Sequence, residues 1–219
     1  MVSNKMKPKK TPVDRDQIQS LLQKHGCPMP YHQVRAILMG NIAAPDQVSP
    51  TDVLRRIWGG TLPEFADLEA LKELMDTLFM GLWNRLADHQ SARDPFRLSR
   101  RAWQPTAADL LVLVRTRMEE LEGFWEGFFG DQESVMSSKP AHEALEAIGE
   151  ARSLLAASIP LLEREDASNQ DQQLRDLLRN FTNLTDIAEK SIQKVITESV
   201  RMRRMQTGAT MEGFSQTRH

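Results

Sequence analysis

The chain of 219 residues has one cysteine and one tyrosine. It also lacks any stretch approaching the roughly 18 consecutive apolar residues of a membrane span, and it shows no sustained apolar and polar alternation over strand length. Each absence removes a class. A lone Cys27 rules out an internal disulfide and a cysteine-rich zinc site. The opening "MVSNKMKPKKTPVDRD" is basic, yet an amphipathic segment follows it instead of an apolar signal core. These features lead to the expectation of a cytoplasmic protein with no membrane contact.

The sequence is equally short of chemistry. None of His25, His32, His89, His142 and His219 has a glutamate three residues before it, so the Glu-x-x-His pairs of a diiron bundle are missing. No His-Glu-x-x-His, no phosphate-binding glycine loop and no Gly-x-Ser-x-Gly elbow occurs. Cys27 lies near His25 and His32, but in the proline-bounded turn "HGCPMP", where no oxyanion donor is evident. The row Glu119, Glu122 and Glu126 shares a helix face and reads as a solvated one. The expectation is a protein that is not an enzyme and holds no metal or cofactor.

What the chain does have is uneven charge. Its formal net charge is −2, while residues 1–15, 91–104 and 201–219 together carry +10, which leaves −12 for the remainder. Basic extensions around an acidic body can hold nucleic acid or an acidic surface. A solvated tail without a specific role is the commoner alternative.

Apolar residues recur at three and four almost throughout, the period of helices. The expected fold is all-α: a multi-helix bundle with a long C-terminal helix. Helices are expected at Asp14–His25, with Ile18, Leu21 and Leu22 inward, and from Pro30, burying Val34, Ile37 and Leu38. A third begins at the capping pattern Ser49, Pro50, Asp52 and stops at Gly59 and Gly60. A fourth is expected over Glu64–Asp88, with Leu68, Leu71, Leu74, Leu78, Leu82 and Leu86 as its stripe. "SARDPFRLSRRAWQP", from Ser91 to Pro105, has no period and reads as a connector. Thr106 and Asp109 then cap a helix running to Gly130, another spans Pro140–Ser158 with Pro160 as its stop, and the last covers Asn169–Met205. By this division residues 1–12 are a disordered basic N-terminus, 13–160 a helical domain, 168–206 the long helix and 207–219 a disordered tail.

The stretch "EGFWEGFFGDQ" sets glycines among the largest apolar side chains, although each glycine costs about 1 kcal/mol against alanine inside a helix. Gly123 and Gly127 lie four apart and share a face, so another helix can come close there while Phe124, Trp125 and Phe128 close over the contact. Gly40 in "AILMGN" and Gly81 in "LFMGLWNRL" repeat the device. Glycine here is a packing choice.

These residues resemble the YecA/YgfB-like family of small all-helical bacterial proteins. The matching elements are Gly40, Pro45 with Pro50, Trp58-Gly59-Gly60, Pro63 to Phe65, Gly81, Asn84, and Phe124 with Gly127 and Phe128, over about residues 30–160. The resemblance implies an interaction or regulatory protein without an assigned chemistry. Longer family members end in a cysteine-rich zinc module, which this chain replaces with the long helix and basic tail.

The functional expectation is therefore a non-catalytic adaptor or regulatory protein that binds another protein, with the C-terminal helix as a docking arm and homo-oligomerisation through it left open. Methionines such as Met75, Met80 and Met118 suit adaptable surfaces. The alternative is nucleic-acid or ribosome association through a basic patch of Arg97, Arg100, Arg101, Trp103, Arg201, Arg203 and Arg204.

Overall fold

A computed structural model describes residues 14–215 apart from 47, 92, 133–137 and 165–170, with side chains described as far as Met205. The expected N-terminal segment 1–12, the expected helix start at Asn169 and residues 216–219 lie outside the described residues. The described chain is helical and irregular, with no strand among the described residues. No helix among them is long and apolar enough to cross a membrane.

The first three helices follow their sequence signals. Helix α1 is Arg15–Lys24, capped by Asp14 and burying Ile18, Leu21 and Leu22. Helix α3 is Pro50–Ile57, with the Ser49 side chain accepting from the Asp52 amide at 3.1 Å. It ends at Gly59 and Gly60, whose φ angles of 70° and 103° are open to glycine and strained for other residues.

Helix α2, Tyr31–Ala43, is buried on more than the expected face: Ala36, Met39, Asn41 and Ile42 are covered as well as Val34, Ile37 and Leu38. A helix that is apolar all round belongs in an interior, and α2 is the central helix, packed chiefly on α6, Ala107–Phe129. Where they cross, the backbones touch. A methyl placed on Gly40 would collide with the Phe124 carbonyl oxygen and lie 2.7 Å from the Phe128 nitrogen. One on Gly127 would collide with the Ile37 carbonyl oxygen and lie 3.0 Å from the Asn41 nitrogen. Gly123 is similarly tight, 2.8 Å from the Gln33 carbonyl oxygen.

The expected fourth helix is a composite: α4 at Leu68–Met75, a π-helical segment at Asp76–Trp83, a short α5 at Asn84–Leu86 and a 3₁₀ turn at Ala87–Gln90. Leu74, Leu78, Leu82 and Leu86 are buried as expected, whereas Leu68 is 76% exposed. The spacing explains the π segment. A row repeating strictly at four drifts about 40° per step on a 3.6-residue helix, and a wider turn keeps the four leucines on one side.

Helix α7, Lys139–Leu162, continues past Pro160, which was expected to end it. Leu162 is buried and the Glu163 amide closes on the Ile159 carbonyl at 3.0 Å, so the last turn stays anchored despite the missing proline N–H. Helix α8 is Asp171–Ser215 and so continues through most of the segment expected to be a disordered tail. No proline interrupts it, and once a helix is formed each further residue adds one hydrogen bond.

One apolar core runs from Ile18 to Ile196 and includes Leu174, Phe181, Ala188, Ile192 and Val195 of α8. The stripe of α8 packs on α7, α6 and α2, so the long helix is docked on the body, as its drift away from heptad spacing leads one to expect. Within that stripe Ile187 is exposed and Thr185, Glu189, Glu198 and Ser199 are buried instead. Core residues come from both the 13–160 segment and the long helix.

Candidate functional site

The connector from Ser91 to Pro105 has no helical period in the sequence, yet in the structure its backbone is held by side chains of α2, α6 and α8. Phe96 and Leu98 are fully buried, and an irregular backbone carries them between α6 and α8. A buried segment outside helix or strand must find other partners for its amides. Here side chains supply them. The Phe96 amide donates to Gln193 Oε1 at 3.1 Å, the Leu98 amide to Glu189 Oε1 at 2.9 Å and the Ser99 amide to Glu120 Oε1 at 2.7 Å. In the other direction Arg35 donates to the Arg97 carbonyl and Arg117 Nη2 to the Ser99 carbonyl at 2.8 Å.

The groups that read this backbone are themselves buried and paired. Arg117 donates to Glu120 at 2.5 Å and to Thr185 Oγ1 at 3.2 Å, and Thr185 in turn donates to the Phe181 carbonyl. Glu189 is 1% exposed and receives both Arg97, at 2.7 Å, and Arg100, at 2.8 Å. Burying a carboxylate is costly unless it is paired and hydrogen-bonded, and Glu189 has three donors. The guanidinium of Arg35 lies over the Phe96 ring, and burial lowers its pKa.

The expected basic patch is thereby divided. Arg97 and Arg100 share Glu189, while Arg101 pairs with Asp109 at 2.7 Å and lies over the Trp103 ring. Arg203 is turned inward, donating to the carbonyls of Ile42 and Ala44 at the end of α2 and to Gln90, and burial lowers its pKa. Arg201 lies 3.9 Å from Glu198 and is largely exposed, as is Arg204. The structure brings the connector and α8 together, which their separation in sequence did not show. Lys190 and Lys194, absent from the expected patch, lie on the same outer face of α8 as Arg201 and Arg204, and their spacing from Arg201 was the available signal.

The expected packing residues separate into interior and surface positions. Trp58 is buried with its indole N–H on the His25 carbonyl at 2.8 Å, and Phe65 lies half-buried against the His25 ring. Phe124 and Phe128 are buried and stacked. Gly40 and Gly127 form the α2–α6 contact described above, Gly59 and Gly60 are the exposed stop after α3, and Gly81 is a half-buried member of the π segment. Asn84 is exposed and donates to the Met80 carbonyl at 3.0 Å.

The remaining polar candidates are engaged separately. Glu119 meets His32 at 2.6 Å and Glu122 meets Arg152 at 2.6 Å. The Glu126 carboxyl is pushed upward by burial. Cys27 is half-buried beside Tyr31 and His32 in a hollow of about 430 Å³, with its thiol facing the Met29 and Ile57 carbonyls, and burial raises its pKa. No group of three or more His, Cys, Asp or Glu able to hold a metal ion occurs among the described residues.

The exposed surface offers a different feature. Around the π segment Met80 is 68% exposed beside half-buried Met75, Phe79 and Trp83, and Leu68 is more exposed still. Phe79 and Trp83 lie 6.0 Å apart, ring to ring. Compared with protein-family models, with curated proteins and with solved structures, the chain finds no match in any of the three.

Proposed function

We propose that this chain is a non-catalytic adaptor or regulatory protein that binds another protein through the outer surface of the segment Leu68–Trp83. One observation carries the reading: a π-helical stretch, a form frequent at functional sites, presents exposed Met80 with half-buried Phe79 and Trp83, directly after helix α4, whose first residue Leu68 is exposed and whose last, Met75, is half-buried. Methionine and aromatic side chains are enriched at protein interfaces and adapt to different partners. The YecA/YgfB-like assignment belongs to this proposal; the glycine-mediated helix contact, the Trp58-Gly59-Gly60 stop and the Phe124, Phe128 pair support it.

The test is co-purification from the native host with the intact chain and with the double variant Leu68→Glu, Met80→Glu. Both side chains are exposed, so the variant is expected to keep its thermal unfolding midpoint. A partner recovered with the intact chain and lost with the variant supports the reading. A partner retained by both, or none recovered with either, removes it.

A second reading, association with nucleic acid, is favoured by a separate surface. The sequence scatters its cations over a hundred positions, and Arg97, Arg100, Lys190, Lys194 and Arg201 come to one side of the molecule along α8. Retention of RNA or DNA in a low-salt filter-binding assay is its simplest check.

A further inference from the structure

The nucleic-acid reading can be given a place, and the inference rests on that reading. Along the second half of α8, Lys190, Lys194, Thr197, Arg201 and Arg204 repeat at four, three, four and three residues and are all exposed. That spacing sets them on one helix face over about 21 Å. Two of the acids near them, Glu198 and Glu189, lie at its edges, while Asp186 is exposed one turn before Lys190. Glu198 is 8% exposed on its side chain and holds Lys194 at 3.3 Å and Arg201 at 3.9 Å, while those cations remain 50% and 64% exposed. On the opposite edge the buried Glu189 does the same for Arg97 and Arg100.

The arrangement is one buried carboxylate for each pair of exposed cations. It leaves a net positive charge on each trio, and it fixes long side chains that would otherwise lose conformational entropy on binding. Glu198 is itself held by the Ser138 hydroxyl at 3.1 Å, which keeps its carboxyl below the ordinary glutamate range and therefore charged. Beside this face a groove of about 870 Å³ opens between residues 87–91 and α8, with Arg201, Arg204 and the single acid Asp88 in its wall.

We propose that this face of α8, bordered by Arg97 and Arg100, is a binding site for the phosphate backbone of nucleic acid. The linear array of fixed cations matches a polymer that carries one charge per nucleotide, and guanidinium groups pair with phosphate oxygens in two-pronged fashion. A protein interface needs an apolar centre, and among the described residues the large exposed apolar side chains along this face are Ile187 and Met205, which lie at its two ends and leave the middle to the cations. Contacts of this kind read the backbone and not the bases.

The experiment is fluorescence anisotropy on the full chain with a labelled 20-nucleotide single-stranded RNA and a 20-base-pair DNA duplex. With about four phosphate contacts, affinity for the RNA falls roughly 50-fold between 50 and 200 mM salt, and more steeply for the duplex. The variant Lys190→Gln, Arg204→Gln leaves the Glu198 trio intact and weakens binding by about tenfold or more at 50 mM salt. Adding Lys194→Gln and Arg201→Gln flattens the salt dependence. Arg175→Gln, Arg179→Gln, in the other half of α8, changes neither. Binding that survives all four substitutions overturns this site and leaves the nucleic-acid reading standing on the terminal segments. No binding to either probe at 50 mM salt overturns both. Displacement of the RNA by an equal charge concentration of poly-glutamate overturns the assignment to phosphate.

Discussion

A methyl group on Gly40 would lie 2.9 Å from the carbonyl carbon of Gly127, so helices α2 and α6 cross in backbone contact at these two residues. Gly127→Ala forces the central helix off its neighbour. The cost expected is about 3 kcal/mol, the upper part of the usual range for overpacking, after allowing for the roughly 1 kcal/mol that alanine returns as a better helix former. Gly149→Ala is the control. It sits in α7 with nothing within 4 Å of the added carbon, and stability should rise by about 0.5–1 kcal/mol. Urea unfolding of the two variants reads opposite signs from the same chemical change.

The three donors converging on Glu189 set the next expectation. Glu189→Ala strips the Leu98 amide, Arg97 and Arg100 of their common acceptor, and breaking such a buried network costs about 3–5 kcal/mol. Arg100→Ala removes one exposed arm of the trio and costs about 1 kcal/mol or less. A ratio near unity between the two losses, measured by denaturant midpoint, would contradict the network.

Two glutamates should respond to pH in opposite senses. Hydrogen bonding from Ser138, aided by Lys194 and Arg201, lowers the Glu198 pKa in the folded chain from its ordinary 4.5. Its stabilising contribution is present above that value and is lost as pH falls through the folded pKa. Burial raises the pKa of Glu126 despite the counter-effect of Arg56, so its contribution is present at low pH and is lost as pH rises. Glu198→Gln should therefore lower the melting temperature at pH 7, and the difference from the parent should shrink as pH falls below 4.5. Glu126→Gln should raise it at pH 7 and likewise converge in acid.

Cys27 should behave as an inert thiol. With burial raising its pKa above the ordinary 9.0, labelling by a thiol-reactive dye at pH 7.5 is expected to be at least tenfold slower in the folded chain than in urea. Equal rates would show a freely exposed thiolate.

The helices were legible because their signals are local. Ser49 and Thr106 cap where the sequence placed them, the first helix begins at its expected start, and Ile18, Leu21, Leu22, Val34 and Phe124 bury on the expected faces. The glycine contact was legible too, because Gly40 and Gly127 made no sense inside helices unless something approached them. The connector was not. Its order comes from Glu120, Gln193, Glu189 and Arg117, which lie up to 97 positions away and which a periodicity scan treats as surface polars. The π segment was hidden for another reason: strict fourfold leucine spacing looks like an ordinary helix until its drift is counted. Of the basic patch, Arg97, Arg100, Arg201 and Arg204 stayed outward, whereas Arg203 turned inward to cap α2, a choice fixed by unbonded carbonyls at Ile42 and Ala44 that the sequence does not display.

The basic face of α8 and its border of Arg97 and Arg100 depend on a connector that is inlaid between the helices and so holds those arginines against α8. Amide hydrogen exchange at Phe96, Leu98 and Ser99 measures this most directly. The account predicts protection close to that of the α2 core amides, since each of the three donates to a buried or half-buried side chain and opens only with the bundle. Exchange at the rate of an unstructured loop would contradict it.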